Sequence, residues 1–298
     1  MLTAAGVRGA HSRAVTMNLR EVLVNTWSRR DALKFLSAGA LSATALRGAE
    51  RPRFHALDHV GLTVSDAKKA AAFYARLFGN TVYKETMAER RYVKAGPCYL
   101  AMAPPGANQP ARYRVDHVCP GVEPFDVPAL ESYLQSQKIP FRHTDGFGPF
   151  IPEPNGINIQ WWMWSSWLDT IKTSAPEPPP ETGAPIFQAA GIDHVLVQTA
   201  ELDQSAELYE KLFGPVAQRT ATRIWFKVGP SRIGLTSAAA GQSPGVNHFC
   251  FTVAAFDRAS AVRNLEQAGA KIQAGEAAND LQFRDPDGIL VQVMTAGG

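Results

Sequence analysis

The chain is poor in cysteine. Cys98, Cys119 and Cys250 make up the whole complement in 298 residues, an odd number without a CxxC pair. No disulfide framework is therefore indicated, even in an oxidising compartment. There is also no run of Lys and Arg: the formal net charge of +3 is spread along the sequence. Without a basic stripe to match a phosphate backbone, nucleic acid is not an expected partner. A Gly-rich phosphate loop and a GxSxG elbow are both absent, which removes two common enzyme signatures. Near the N-terminus the uncharged stretch Phe35 to Leu46 is twelve residues long. That is too short to cross a bilayer, so stable membrane insertion is not expected.

What is present is enough apolar material for a sizeable core, 45% hydrophobic against 19% charged residues, in a length that suits two domains. Residues 1–50 stand apart as a leader. Arg29-Arg30 precedes the weakly apolar run, which ends near Ala43-Thr44-Ala45. Charge, then a weak apolar run, then small residues is the layout of a secretory signal, and the paired arginines resemble a twin-arginine signal. This predicts export, to a periplasm. Met17 is an alternative start.

Downstream, the sequence repeats itself. "LDHVGLTVSDAKKAAAFYARLFG" from Leu57 matches "IDHVLVQTAELDQSAELYEKLFG" from Ile192, and "VKAGPCYLAM" from Val93 matches "FKVGPSRIGL" from Phe226. "VDHVCPGV" from Val115 matches "VNHFCFTV" from Val246, and "PEPNGINIQ" from Pro152 matches "RDPDGILVQ" from Arg284. The spacing is nearly constant: 135 residues from His59 to His194, 131 from His117 to His248 and 132 from Gln160 to Gln292. Two homologous domains follow one another, over 55–165 and 190–298. Between them, 166–189 contains "TSAPEPPPETGAP", whose prolines favour an extended linker.

Each domain divides again. A His-bearing strand is followed by a helix with apolar residues at helical spacing, such as Ala70, Phe73, Tyr74 and Leu77, and then by short strands. Gly79 and Gly214 stand where those helices should stop. The predicted fold is α+β, with β-α-β-β-β run four times. Alternation along a strand sets Phe249, Phe251 and Val253 against His248, Cys250 and Thr252, and sets Val291 and Val293 against Gln292. In the same way Val60, Leu62 and Val64 oppose His59, and Ile157, Ile159 and Trp161 oppose Gln160. Every such histidine and glutamine thus lies opposite an aliphatic face, as a pocket lining would.

A βαβββ unit with "DHV" on its first strand, "FYxxLFG" closing its helix and "DPDG" before its last strand resembles the vicinal oxygen chelate superfamily. That superfamily includes glyoxalase I, the bleomycin resistance proteins and the type I extradiol dioxygenases. The resemblance implies that each pair of units forms a domain with a curved mixed sheet, a cup in which first-strand and last-strand side chains converge on a divalent metal. By position the ligands would be His59, His117 and Gln160 in the first domain, and His194, His248 and Gln292 in the second. The second set is favoured, because similar dioxygenases hold their metal in the C-terminal domain. Those relatives use two histidines and one glutamate, so glutamine in both domains is a departure. A neutral amide binds a cation more weakly than a carboxylate, but leaves a bound ion a stronger Lewis acid. Further carboxylates of glyoxalase I are missing at Ala101 and Gly234, and the extradiol tyrosine is replaced by Phe150 and Gln282.

The implied activity is that of a metal-dependent enzyme using iron, manganese or zinc on a small oxygenated substrate. The alternative is a metal-free small-molecule binder of the bleomycin-resistance type. Self-association as a homo-oligomer is left open. Cys119 and Cys250 should share the pocket faces. His143 with Asp145 reads as a solvated loop pair, His55 as surface, and Trp161, Trp162, Trp164 and Trp167 as packing.

Overall fold

The computed structural model describes residues 49–107, 112–144, 147–178, 183–273 and 279–296. The leader with Arg29-Arg30 and Ala43-Thr44-Ala45, and Asp145, lie outside the described residues. Four βαβββ units follow in order. The first is β1 (Phe54–Thr63), α1 (Ala67–Phe78), β2 (Val82–Glu85), β3 (Arg91–Ala95) and β4 (Cys98–Ala103). The second is β5 (Arg114–Val122), α2 (Val127–Ser136), β6 (Phe150–Pro152), β7 (Asn158–Gln160) and β8 (Trp162–Met163). A short helix α3 (Trp167–Ile171) and strand β9 (Ser174–Pro176) come next. The third unit is β10 (Ala189–Thr199), α4 (Leu202–Phe213), β11 (Gln218–Arg219), β12 (Arg223–Val228) and β13 (Ser231–Ser237). The fourth is β14 (Gly245–Val253), α5 (Arg258–Gln267), β15 (Lys271–Gln273), β16 (Asp280–Arg284) and β17 (Leu290–Thr295). No helix among the described residues is long and apolar enough to cross a membrane.

Local chemistry sets the helix limits. The Asp66 side chain accepts from the Lys68 and Lys69 amides at the start of α1, and Gly79 ends it in the left-handed region. Asp126 and Asp257 cap α2 and α5 in the same way. Each domain carries one mixed sheet. In each, the first strands of its two units pair antiparallel at the centre, β1 with β5 and β10 with β14, and each is flanked by a parallel partner. The segment between the domains is more than a spacer. Ser174–Pro176 pairs with β2 at the sheet edge, a place where proline does no harm to a ladder.

The aliphatic faces of both sheets and their helices merge into one continuous core. Phe78 of α1 lies 4.9 Å from Phe251 of the second domain, and Phe54 of β1 lies 5.3 Å from Phe213. The repeated "GP" turns contribute to this junction. A Cβ at Gly96 would stand 2.5 Å from the Ala189 carbonyl oxygen, and one at Gly229 would stand 1.8 Å from that of His55. Both glycines have positive φ, so neither position admits another residue without moving the opposite domain's first strand.

Polar contacts cross the junction in a pattern that follows the repeat but is not fully symmetric. Tyr74 donates to Asp285 Oδ2 at 2.8 Å, whereas its counterpart Tyr209 has a buried hydroxyl without a hydrogen-bond partner. Tyr74→Phe should therefore cost about 1–3 kcal/mol, because it strips a donor from a buried carboxyl group, while Tyr209→Phe should be neutral or stabilising. Urea denaturation of the two variants measures the contrast. Burial also pushes the Asp285 carboxyl up to about 6. Since this lies above its unfolded value, the associated stability is complete below pH of about 4 and is lost as pH rises through about 6. Repeating the Tyr74→Phe series across that window, with Asp285→Asn as the reference that lacks the slope, reads the effect directly.

Candidate metal centres on the two sheets

Each site is built around a histidine pair on the two central strands. His59 Nε2 lies 3.2 Å from His117 Nε2, and His194 Nε2 lies 3.0 Å from His248 Nε2. His59, His194 and His248 are buried, and His117 is half-buried. The pairing follows from register. His117 stands opposite Gly61, where a Cβ would fall 1.9 Å from the imidazole, and His248 stands opposite Leu196. Glycine at position 61 is what lets His117 lean across β1 towards His59.

The residue before each histidine completes the arrangement. Asp58, Asp116, Asp193 and Asn247 all fall in register shifts, where the ladder skips them. A bulge breaks strict alternation, so each can turn to the same side as the histidine that follows it. Asp58 Oδ2 lies 3.0 Å from His59 Nδ1, and Asp116 Oδ2 lies 3.1 Å from His117 Nδ1. Asp193 Oδ1 lies 2.5 Å from His194 Nδ1, and Asn247 Oδ1 lies 2.7 Å from His248 Nδ1. Carboxylates, and the amide oxygen of Asn247, accept and cannot donate, so these Nδ1 atoms carry the protons. The lone pairs of the two Nε2 atoms in each pair then face one another. At 3.0–3.2 Å such lone pairs repel unless a proton or a cation lies between them. Two ligands at right angles on bonds of about 2.1 Å stand about 3.0 Å apart, so the donor set fits a divalent ion. Burial also holds His59 below its ordinary pKa, favouring the neutral form that binds metal.

The third predicted ligand differs between the domains. Gln160 lies within hydrogen-bonding reach of His59, and its Nε2 donates to the Phe147 carbonyl at 3.0 Å. Gln292 pairs with Cys250 in the β14–β17 register, on the face that carries His248. Its Nε2 donates to Asp280 Oδ2 at 2.7 Å. Cys119 and Cys250 are buried, and their Sγ atoms lie within 4.8 Å of the Asp58–His59 and Asp193–His194 ligand atoms respectively. Burial pushes both thiols well up, which keeps them neutral.

The surroundings of the two sites have diverged. In the first, Tyr99 stacks on His59 with ring centroids 4.4 Å apart, and α3 packs over Tyr99. Ser166, which caps α3, donates from Oγ to Asp58 at 2.6 Å. Trp162 lies edge-on to His59 at 6.1 Å, Trp167 packs on Tyr99 at 5.5 Å, and Trp164 stacks on His55. Trp161 belongs to the main core, and Trp164 packs against it. In the second, Arg232 takes the place of Tyr99, donating to Asp193 Oδ1 at 3.0 Å and lying 4.8 Å over the Trp225 ring. His143 is exposed and pairs with Glu131. His55 pairs with Glu123 at the surface.

Sequence reasoning missed Asp58, Asp116, Asp193 and Asn247, although the signal was there: every one of the four histidines follows an Asp or Asn. Asp280 and Arg232 carried no such signal.

Tandem βαβββ units, each pair forming one mixed sheet, define the class of fold. The chain belongs to the Glyoxalase/Bleomycin resistance protein/Dioxygenase superfamily, whose family model matches residues 56–160 and 191–293. No curated protein gives a significant sequence match. Among solved structures, variants of homoprotocatechuate 2,3-dioxygenase from Brevibacterium fuscum are similar, one with a TM-score of 0.60 at 17% identity over 83% of this chain and 73% of that one. The complex of that enzyme with 3,4-dihydroxyphenylacetate has a TM-score of 0.59 at 17% identity, over 82% of this chain and 81% of that one. A xylose isomerase-like TIM barrel/4-hydroxyphenylpyruvate dioxygenase fusion protein has a TM-score of 0.61 at 11% identity, over 90% of this chain and 53% of that one. At such identities the likeness establishes the shared fold.

Proposed function

We propose that this protein is a metal-dependent enzyme of the dioxygenase or glyoxalase type, whose substrate is a small oxygenated molecule with two neighbouring oxygens. The observation that carries the reading is the 3.0 Å approach of His194 Nε2 to His248 Nε2 with both Nδ1 atoms already bound to acceptors. His194 and His248 would hold the ion through Nε2, with Gln292 as a neutral third ligand or a hydrogen-bonding group for substrate. A bound divalent ion supplies Lewis acidity to an oxygen of the substrate. Around it, Asp193 and Asn247 fix the imidazole tautomers, and Trp225 and Arg232 wall one side of the site. The solved dioxygenase bound to a dihydroxyphenyl compound supports an aromatic diol as the first substrate class to try.

The second domain is preferred because in the first site Tyr99, held by α3, stacks on His59, where the second site has Arg232. The first site suits a second reading. With Tyr99, Trp162 and Phe147 grouped near His59 and a neutral Gln160, it resembles a binding pocket more than a reactive one. Metal analysis of the purified full chain, loaded anaerobically with iron, manganese or zinc in turn, tests the main reading. One tight ion per chain supports it, and none sinks it. The leader supports export to a periplasm, which N-terminal sequencing of the mature protein checks.

A further inference from the structure

The glutamine in the second site is held by a carboxylate whose matching position in the first is a glycine, Gly148. Asp280 is buried at the start of β16, and its Oδ2 accepts the Gln292 Nε2–H bond. Arg258 of α5 anchors the Asp280 carbonyl. A carboxylate accepts only, so the amide is locked with nitrogen towards Asp280 and its oxygen on the other limb. Gln292 shares its sheet face with Cys250 and His248. In the first domain the residue opposite Gln160 is Phe150, as Gln282 is opposite Gln292, and two residues earlier stand Gly148 and Asp280 respectively. Gly148 has a φ of +71°, and a Cβ there would lie 2.1 Å from the Trp161 carbonyl oxygen. No side chain can occupy that position in the first site, and Gln160 gives its N–H to a backbone carbonyl instead.

We propose that Asp280 is a positioning residue for the metal site, fixing Gln292 with its oxygen towards the histidine pair and placing one negative charge directly behind the amide. A hydrogen bond to a carboxylate draws the amide dipole further apart, making the oxygen a better donor to a cation. The second site thereby recovers, one residue further out, the anionic charge that a ligating carboxylate would supply. At the matching position Gln160 has a backbone carbonyl instead, and the first site carries its second carboxylate behind His117, where the second site has Asn247.

The proposal rests on the metal-dependent reading of the same site, and titration of the full chain with cobalt(II), followed by visible absorption, separates the two. Asp280→Asn keeps the shape but lets the amide turn and removes the charge. It should weaken the tight ion roughly 10- to 100-fold, as loss of an outer partner of a ligand does. Exchanging the groups, Asp280→Asn with Gln292→Glu, should restore binding to wild-type strength or better with a changed cobalt spectrum. Gln292→Glu alone sets two acceptors against each other with no N–H between them, so the gain should be smaller than in the double variant. That comparison stands even if Asp280→Asn folds poorly. Should the wild-type chain bind no cobalt, the metal reading falls and the proposal with it. A tight wild-type ion that Asp280→Asn leaves unchanged, or a double variant no stronger than Gln292→Glu, overturns the proposal alone.

Discussion

His248→Ala should abolish the tight divalent ion, lowering affinity by more than about 100-fold, while His117→Ala leaves that ion in place. The difference follows from the two histidine pairs. His248 supplies one of two Nε2 lone pairs that face each other at 3.0 Å, and without it His194 is left with a neutral amide as its only companion. His117 belongs to the other sheet, where Tyr99 stacks on His59 and α3 packs on Tyr99. Isothermal titration with manganese or zinc, on protein stripped by chelator, gives stoichiometry and affinity together. Retention of the ion in His248→Ala would assign it to other groups. Its loss in His117→Ala would move the centre to the first domain. Circular dichroism of the stripped proteins guards against a folding explanation, because neither imidazole belongs to the aliphatic core.

Phe251→Ala should cost about 3–5 kcal/mol and should loosen both domains at once. Phe251 has no solvent exposure, and its ring meets Phe78 of the first domain at 4.9 Å and Phe249 at 5.8 Å. Truncation leaves a cavity at the junction, where neither sheet can collapse without the other. For a protein of ordinary stability that loss is a large share of the total. Hydrogen exchange should accelerate in β1 and β10 together, with a single melting transition at lower temperature. Two separate transitions, or exchange raised only in β10, would show that the domains are energetically independent despite their shared core.

Much of the fold was legible in the chain because duplication prints it twice. "DHV" and "NHF" strands, "LFG" helix ends and the "PEPNG" and "RDPDG" turns recur in order, and each has a local physical meaning. Period-two alternation also sorted Phe249, Phe251 and Val253 to the core face and His248 with Gln292 to the other. The same rule hid the acidic neighbours of the histidines. Taken strictly, it turns Asp58 and Asp193 to the core side, and only the bulges in the β1–β5 and β10–β14 ladders bring them round to Nδ1. The linker was legible as a Pro-rich break, but the packing of α3 against Tyr99 and Asp58 was not, since nothing in "SSWLDTI" names its partner Asp58, 108 residues from Ser166.

By itself, then, the sequence determined the tandem architecture, the core faces and the identity of the histidines and glutamines, because these depend on repeats and on backbone periodicity alone. Tertiary structure decided which atoms of those residues meet. Nε2 faces Nε2 because two strands pair in one register, Gln292 is turned by Asp280 from a third strand, and Arg232 stands beside His194 where Tyr99 stands beside His59. Such meetings depend on strand order and bulge position, which join residues tens of positions apart and leave no local mark on the chain.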